Sequence, residues 1–335
     1  MEAQLLGYLH LLQGLTSLYY LAGIAGCLLP FLLSAPTLAS ATVYGRLLFF
    51  TPPQGVPAPA GPPTLLRSLV ALALSCTVLK STAFTAFYIV AVGASCAVLW
   101  LCALTGQPSS ALLLSAAFSL HVGRRLLECL CVHTFSPDAR MPLHLLAFGA
   151  LHYVCAPLSL LALVQPCSGS GSGAGSGSPT TTTTLQQALG QVLFVSALAA
   201  QAHVHAVLSR LPRGPIPRRR YPLPTAQHST LFALCLCPHY AAEIALYTGL
   251  LLWRQGSVAA AAGQCGGGAP PPLPAALPSA LHPAATALAA AAPLLLLAWV
   301  ACNLTVTAGR LKTWYVAAYP DKGVQGRAAL CPWVY

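Results

Sequence analysis

The sequence predicts an all-α, polytopic membrane protein with about seven transmembrane helices, and three observations predict it. Of 335 residues, 56% are hydrophobic and 6% are charged, against about 25% charged in a soluble domain. So few charges cannot coat a globule, so most of the surface must face lipid. Apolar stretches of about 20 residues, the length a bilayer demands, recur along the whole chain. The charges that remain gather in alternate loops, as the orientation rule for membrane helices requires.

The spans follow in order. The first lies within Leu15–Leu38. Residues 52–64 form a Pro/Gly/Ala linker, and Leu65–Cys76 is apolar but short, bracketed by Arg67 and Lys80. The second span is Ala83–Leu104 and the third Ala111–Val132, with Arg124, Arg125 and Glu128 in its final turns. The fourth is Pro142–Val164. A Gly/Ser/Thr loop over 167–184 is of low complexity and reads as a flexible connection. The fifth is Leu185–Leu208, followed by a basic loop with Arg210, Arg213 and Arg218–Arg220. The sixth is Ser229–Trp253, then a Gly/Ala/Pro-rich loop over 256–283. The last is Ala284–Thr307, with a helix that can run on to Tyr319. The whole of 1–335 reads as a single membrane domain. Glu2, with no basic segment around it, is unlike the start of a cleaved signal peptide.

Loop charges orient the bundle. The 167–184 loop has no charge, whereas the 210–220 loop and the tail carrying Arg310, Lys312, Lys322 and Arg327 are basic. The basic side is expected to be cytosolic, with the C-terminus there and the N-terminus opposite. The same argument accounts for the formal charge of +11, from 16 Lys+Arg against 5 Asp+Glu. No aromatic–basic interleaving suggests a nucleic-acid partner. The 13 cysteines sit mostly in apolar runs, where cysteine packs as a small hydrophobe. Cys129/Cys131 and Cys235/Cys237 lack the spacing of a zinc site, so no metal is expected.

Ionisable side chains inside spans are costly and are functional candidates by default. Three groups qualify. Arg124 and Glu128 stand one turn apart, with Arg125 beside them; an intrahelical ion pair at the cytosolic edge is the plain alternative. Gln201 and His205 share a face near the end of the fifth span, with His203 between them. His239, Tyr240, Glu243 and Tyr247 form a polar stripe on the sixth, where Glu243 is a single carboxylate in an apolar helix; an inter-helix clamp is the plain alternative. No Walker A, dinucleotide Gly-rich turn or nucleophile elbow is present. Composition alone leaves a transporter, a channel and a membrane enzyme open.

The segments around these residues resemble the steroid 5α-reductase family, most closely its polyprenol reductase branch. The C-terminal end resembles the family's ending through Trp314-Tyr315, Tyr319-Pro320 and the run from Arg327 through Pro332 to Tyr335. Pro238, His239, Tyr240 and Glu243 are similar to the branch's Pro-Asn/His-Tyr-x-Ala-Glu segment. Gln201-x-x-x-His205 and Arg124-Arg125-Leu126-x-Glu128-Cys129 match two further motifs, and Thr77-Val78-Leu79-Lys80 resembles a Thr-Val-Pro-Lys segment. Three positions depart. Leu79 stands for the Pro, Ala86 stands where a His precedes Phe-Tyr, and the stretch before the sixth span lacks the branch's Gly-Asp-Trp.

The resemblance implies a seven-helix fold of the endoplasmic reticulum membrane, with NADPH held in a cavity open to the cytosol. It implies reduction of the α-isoprene double bond of a polyprenyl lipid, on the route to dolichol, the carrier for protein N-glycosylation. No obligate protein partner is inferred. Arg124, Arg125, Gln201, His205, Arg213, His239, Glu243, Arg310 and Lys312 are the residues expected to meet the cofactor; arginine and lysine suit its phosphates. A steroid or enoyl-thioester reductase of the same family is the nearest alternative. A small-solute transporter is the alternative of another class, but the paired broken helices of a transporter repeat are absent. Hydride addition needs an electron-poor carbon. The enal polyprenal offers one and the allylic alcohol polyprenol does not, because charge in the enal can develop on the carbonyl oxygen beside a hydrogen-bond donor. Tyr88, His121 and Tyr315 are the candidate donors.

Overall fold

The computed structural model describes residues 2–32, 76–135, 137, 139–163, 181–211, 222–264, 273–274 and 276–330. The linker at 52–64, Arg213, Arg218–Arg220 and Pro332–Tyr335 lie outside them. Among the described residues are seven long helices: α1 Glu2–Leu32, α2 Lys80–Leu104, α3 Ser109–Leu127, α4 Leu143–Leu160, α5 Thr181–Arg210, α6 Pro238–Gln264 and α7 His282–Ala318. Five of them, α1, α2, α4, α5 and α7, are long and apolar enough to cross a membrane. The protein is an all-α, multi-pass membrane protein. The other two, α3 and α6, carry Arg124, Arg125 and Glu243, which lowers their hydropathy.

Helix ends differ from the sequence expectation in places that physics explains. The sixth span was expected from Ser229. Instead Leu231–Leu234 makes a separate turn, the chain extends at Cys235, and α6 starts at Pro238, because proline's missing N–H costs nothing in a first turn. The loop expected from 256 begins only after Gln264, since Ala259–Ala262 is a run of the strongest helix former. Likewise Thr181–Thr184, expected in the Gly/Ser/Thr loop, is the first turn of α5. At the first span the helix begins at Glu2, well ahead of Leu15.

Two helix pairs dominate the packing. Across α5 and α6 the backbones touch through glycine: a Cβ on Gly190 would sit 2.4 Å from Trp253 N, and one on Gly249 would sit 2.7 Å from Phe194 N. Small residues at a crossing are how membrane helices gain dispersion contact where lipid supplies no hydrophobic drive. Helix α1 lies on α7, where Gly23 receives the Trp299 ring and Ser17 Oγ donates to Leu288 O at 2.6 Å.

A small ribbon sets the register of the remaining helices. Strand β1 (Thr77–Leu79) pairs antiparallel with β2 (Arg140–Pro142), Val78 opposite Met141. Each strand runs straight into a helix, β1 into α2 and β2 into α4. The two helices pack together, with the Tyr88 ring 5.1 Å from that of Tyr153, the neighbour of His152. Leu79, where the branch has proline, holds φ −58°, the value proline would impose; the backbone keeps the turn without the ring.

Candidate active site

Four helices deliver polar side chains to one buried cluster. Helix α3 presents His121, Arg124 and Arg125 on successive turns and ends in a π turn, Glu128–Val132, that opens with Glu128. Glu128 is bonded by Arg124 through one carboxylate oxygen and by Arg125 through the other. From α5, Gln201 accepts from Arg124 and donates to Glu243 of α6. His205 Nδ1 lies 2.8 Å from both Glu128 Oε2 and Arg125 Nη1. His121 is fully buried, its Nε2 3.4 Å from Glu243 Oε1 and its Nδ1 3.4 Å from Arg124 Nη2. From α2, the Tyr88 hydroxyl accepts from Arg125 Nε at 3.0 Å, and the guanidinium also lies over the Tyr88 ring.

Two guanidiniums and two carboxylates cancel. Each buried charge has a partner, without which burial would cost several kcal/mol, about 3–5 when one member of a pair is removed. Just past the π turn, His133 is pulled down to about 4 by burial and then by the Arg125 charge; its imidazole is neutral at physiological pH.

The cluster forms one end of a cavity of about 220 Å³. Arg125, Gln201, His205, His239, Tyr240 and Glu243 line that end. Phe84, Phe87, Trp299, Val300 and Leu304 give the rest an aromatic and apolar wall, with Tyr88, His152, Tyr153 and Tyr247 between. Gly149 makes room: a Cβ there would come within 2.6–2.8 Å of the Phe87 ring.

Of the three candidate donors, Tyr88 lines the cavity. His121 stands behind Glu243, bridging it to Arg124. Tyr315 lies elsewhere: it is buried in a second core with Trp314, Leu236 and Ala329, and its hydroxyl donates to Pro222 O at 3.4 Å. The C-terminal motif does structural work there. Arg327 donates to Pro224 O at 2.9 Å and to Phe232 O at 2.5 Å, and Leu236 N and Cys237 N donate to Ala328 O and Ala329 O. This latch grips the segment that lost the Gly-Asp-Trp.

Of the cofactor candidates, the structure gathers Arg124, Arg125, Gln201, His205, His239 and Glu243. Arg310 and Lys312, near the end of α7, line no part of the cavity. The sequence expected no metal, and saw no third ligand for a histidine pair. Among the described residues Glu128, His133 and His205 do bring ligand atoms within 4.8 Å of one another, but Arg125 is bonded to Glu128 and places Nη1 2.8 Å from His205 Nδ1.

Sequence reasoning passed over His152, Tyr153, Asn303 and Thr307. The last two had a signal, a polar pair one turn apart in an apolar helix. His152-Tyr153 carried none beyond being polar residues inside a span.

No family model matches the chain. Among curated proteins, it is 29% identical over 246 residues to polyprenal reductase 1 of Arabidopsis thaliana and 28% identical over 248 residues to polyprenal reductase 2 of the same plant. Each match takes in 67% of this chain. Over a shorter stretch of 145 residues, 43% of the chain, it is 31% identical to the polyprenal reductase of Caenorhabditis elegans. The chain is thus similar to proteins named polyprenal reductase, a similarity that supports the polyprenol reductase branch its motifs resemble. The matched stretches span 65%, 61% and 46% of those relatives' own lengths, under two thirds in each case.

Proposed function

We propose that the chain reduces the α-isoprene double bond of polyprenal with NADPH, in the endoplasmic reticulum membrane, to supply dolichol for protein N-glycosylation. The observation that carries this reading is a single cavity with a hydrogen-bonding, ionic end, an apolar aromatic wall, and Tyr88 between them. A polar cofactor and a hydrocarbon substrate need such a pair of surroundings in contact.

The donor set suits a reduced nicotinamide. Glu243 can accept from a carboxamide N–H, and Gln201 and His239 offer further hydrogen bonds beside it. Because Arg124 and Arg125 are neutralised by Glu128 and Glu243, their role is to hold this end rigid. The phosphates of the cofactor then call for other cations: Arg210, Arg213, Arg310 and Lys312, in the segments that the loop charges predict to be cytosolic. When bound, the cofactor supplies a hydride to the β-carbon of the enal. The Tyr88 hydroxyl donates to the carbonyl oxygen as charge develops there, and Arg125 Nε, donating to the same hydroxyl, polarises it further. One such donor contributes about 3–4 kcal/mol to the transition state. A protonated acid completes the reaction at the α-carbon.

The test is purified protein in detergent or liposomes with NADPH, offered polyprenal and polyprenol separately. Polyprenal should be consumed with NADPH oxidation. Failure to reduce either lipid would overturn the function. Equal consumption of the alcohol, with no dehydrogenase present, would overturn the electronic argument alone.

A further inference from the structure

His152 of α4 lines the cavity and has no role in the ionic cluster. Its Nδ1 is a buried polar atom with no hydrogen-bond partner. Its Nε2 lies 3.5 Å from the Tyr247 hydroxyl of α6. The imidazole is boxed by rings: Tyr20 of α1 at 6.1 Å, Tyr153 at 5.0 Å and Tyr247 at 6.3 Å between centroids. A buried nitrogen without a partner is rare and asks for an explanation. A ring held on several sides, with one nitrogen engaged and the other waiting, is preorganised to receive a polar atom.

We propose that His152 is a second hydrogen-bond donor to the carbonyl oxygen of the lipid substrate, kept in the required tautomer by Tyr247. The proposal rests on the function proposed above and adds a substrate contact to it. A neutral imidazole carries its proton on one nitrogen only. When the Tyr247 hydroxyl donates to Nε2, the proton stays on Nδ1, and Nδ1–H becomes the free donor. A carbonyl oxygen has two lone pairs: Tyr88 from α2 takes one and His152 from α4 takes the other. Tyr88 and His152 line the same cavity, and the Tyr88 ring lies 5.1 Å from that of Tyr153, the neighbour of His152, so the two donors reach one region of it. No proton leaves His152 in this arrangement. As hydride adds to the β-carbon, the double-bond electrons shift toward the oxygen, and both donors tighten on the charge. Tyr247 touches no substrate and is a positioning residue.

Amide side chains separate this role from a packing role. Asparagine places its N–H near the position of Nδ1, and glutamine places it near that of Nε2. His152→Asn should keep turnover of polyprenal within about tenfold of the parent, while His152→Gln and His152→Phe should lose about 10²–10³-fold in kcat, the cost of one such donor. NADPH affinity, read by quenching of protein fluorescence, should stay within about threefold in all of them, since the cofactor end is untouched. Thermal stabilisation of the protein by polyprenal in the absence of NADPH should fall in His152→Phe and persist in His152→Asn. Tyr247→Phe, which fills the same space, should lower kcat by about tenfold as the imidazole redistributes between tautomers. Full turnover in His152→Phe would overturn the proposal. So would equal activities of the Asn and Gln variants, or loss of NADPH affinity in step with turnover. If the His152 variants do not accumulate, an unchanged kcat in Tyr247→Phe overturns it. All these outcomes are read against parent protein that reduces polyprenal; a parent that does not would fail the function itself.

Discussion

Glu243 decides how the polar end of the cavity behaves. It is a carboxylate inside an apolar helix, with His121 on one side and Gln201 on the other. Removing it leaves Gln201 and His121 with unanswered donors in a half-buried site. Cutting one partner from such a contact costs about 2–5 kcal/mol, so Glu243→Ala should weaken NADPH binding by at least about 30-fold, with turnover falling alongside. Fluorescence titration with NADPH checks this, and near-normal affinity would remove Glu243 from the cofactor end. Its visibility in the sequence had a simple cause, since a lone charge in a span is rare. The pairing of Arg124 with Gln201, 77 residues apart, was not visible, because periodicity along one helix says nothing about which helix it faces.

At the scale of elements, the α5–α6 crossing fixes the distance between Gln201 and Glu243. Gly190 and Gly249 each stand under 3 Å, measured from a built Cβ, from the other helix's backbone. Backbone cannot give way as a side-chain tip can. Gly190→Val should therefore push the helices apart, with an overpacking cost of about 1–3 kcal/mol or more, and lower the thermal midpoint in detergent. Gly93, with nothing near its Cβ position, is the control, and Gly93→Ala should leave the midpoint unchanged or raise it. Equal midpoints for parent and Gly190→Val would mean that the crossing is looser than described. The sequence showed glycine in both helices and could not say that they face one another. It also placed α6 too early and ended it too soon, because hydropathy averages over a window while Pro238 and the alanine run act residue by residue.

For the whole molecule, the distribution of charge decides orientation. The basic segment at 210–220 and the tail from Arg310 are expected on the cytosolic side, and the uncharged 167–184 loop opposite. A glycosylation acceptor inserted near Gly173 should be modified in microsomes, and one placed at Arg219 should not. The reverse pattern would invert the topology and put the cavity's ionic end in the wrong compartment for a cytosolic cofactor.

By itself, the sequence determined that this is a helical membrane protein, roughly where its spans lie and which charged residues are worth watching. Those properties are written in composition and local period, which the bilayer reads without reference to any tertiary contact. The tertiary structure alone decided that Arg124 reaches Gln201 and Arg125 reaches Tyr88 and His205, that Tyr315 belongs to a latch, and that His152 lines the cavity. A side chain's partner is set by how helices pack and cross. Packing depends on small residues, ribbon register and chain closure acting together, over separations that no window of sequence spans.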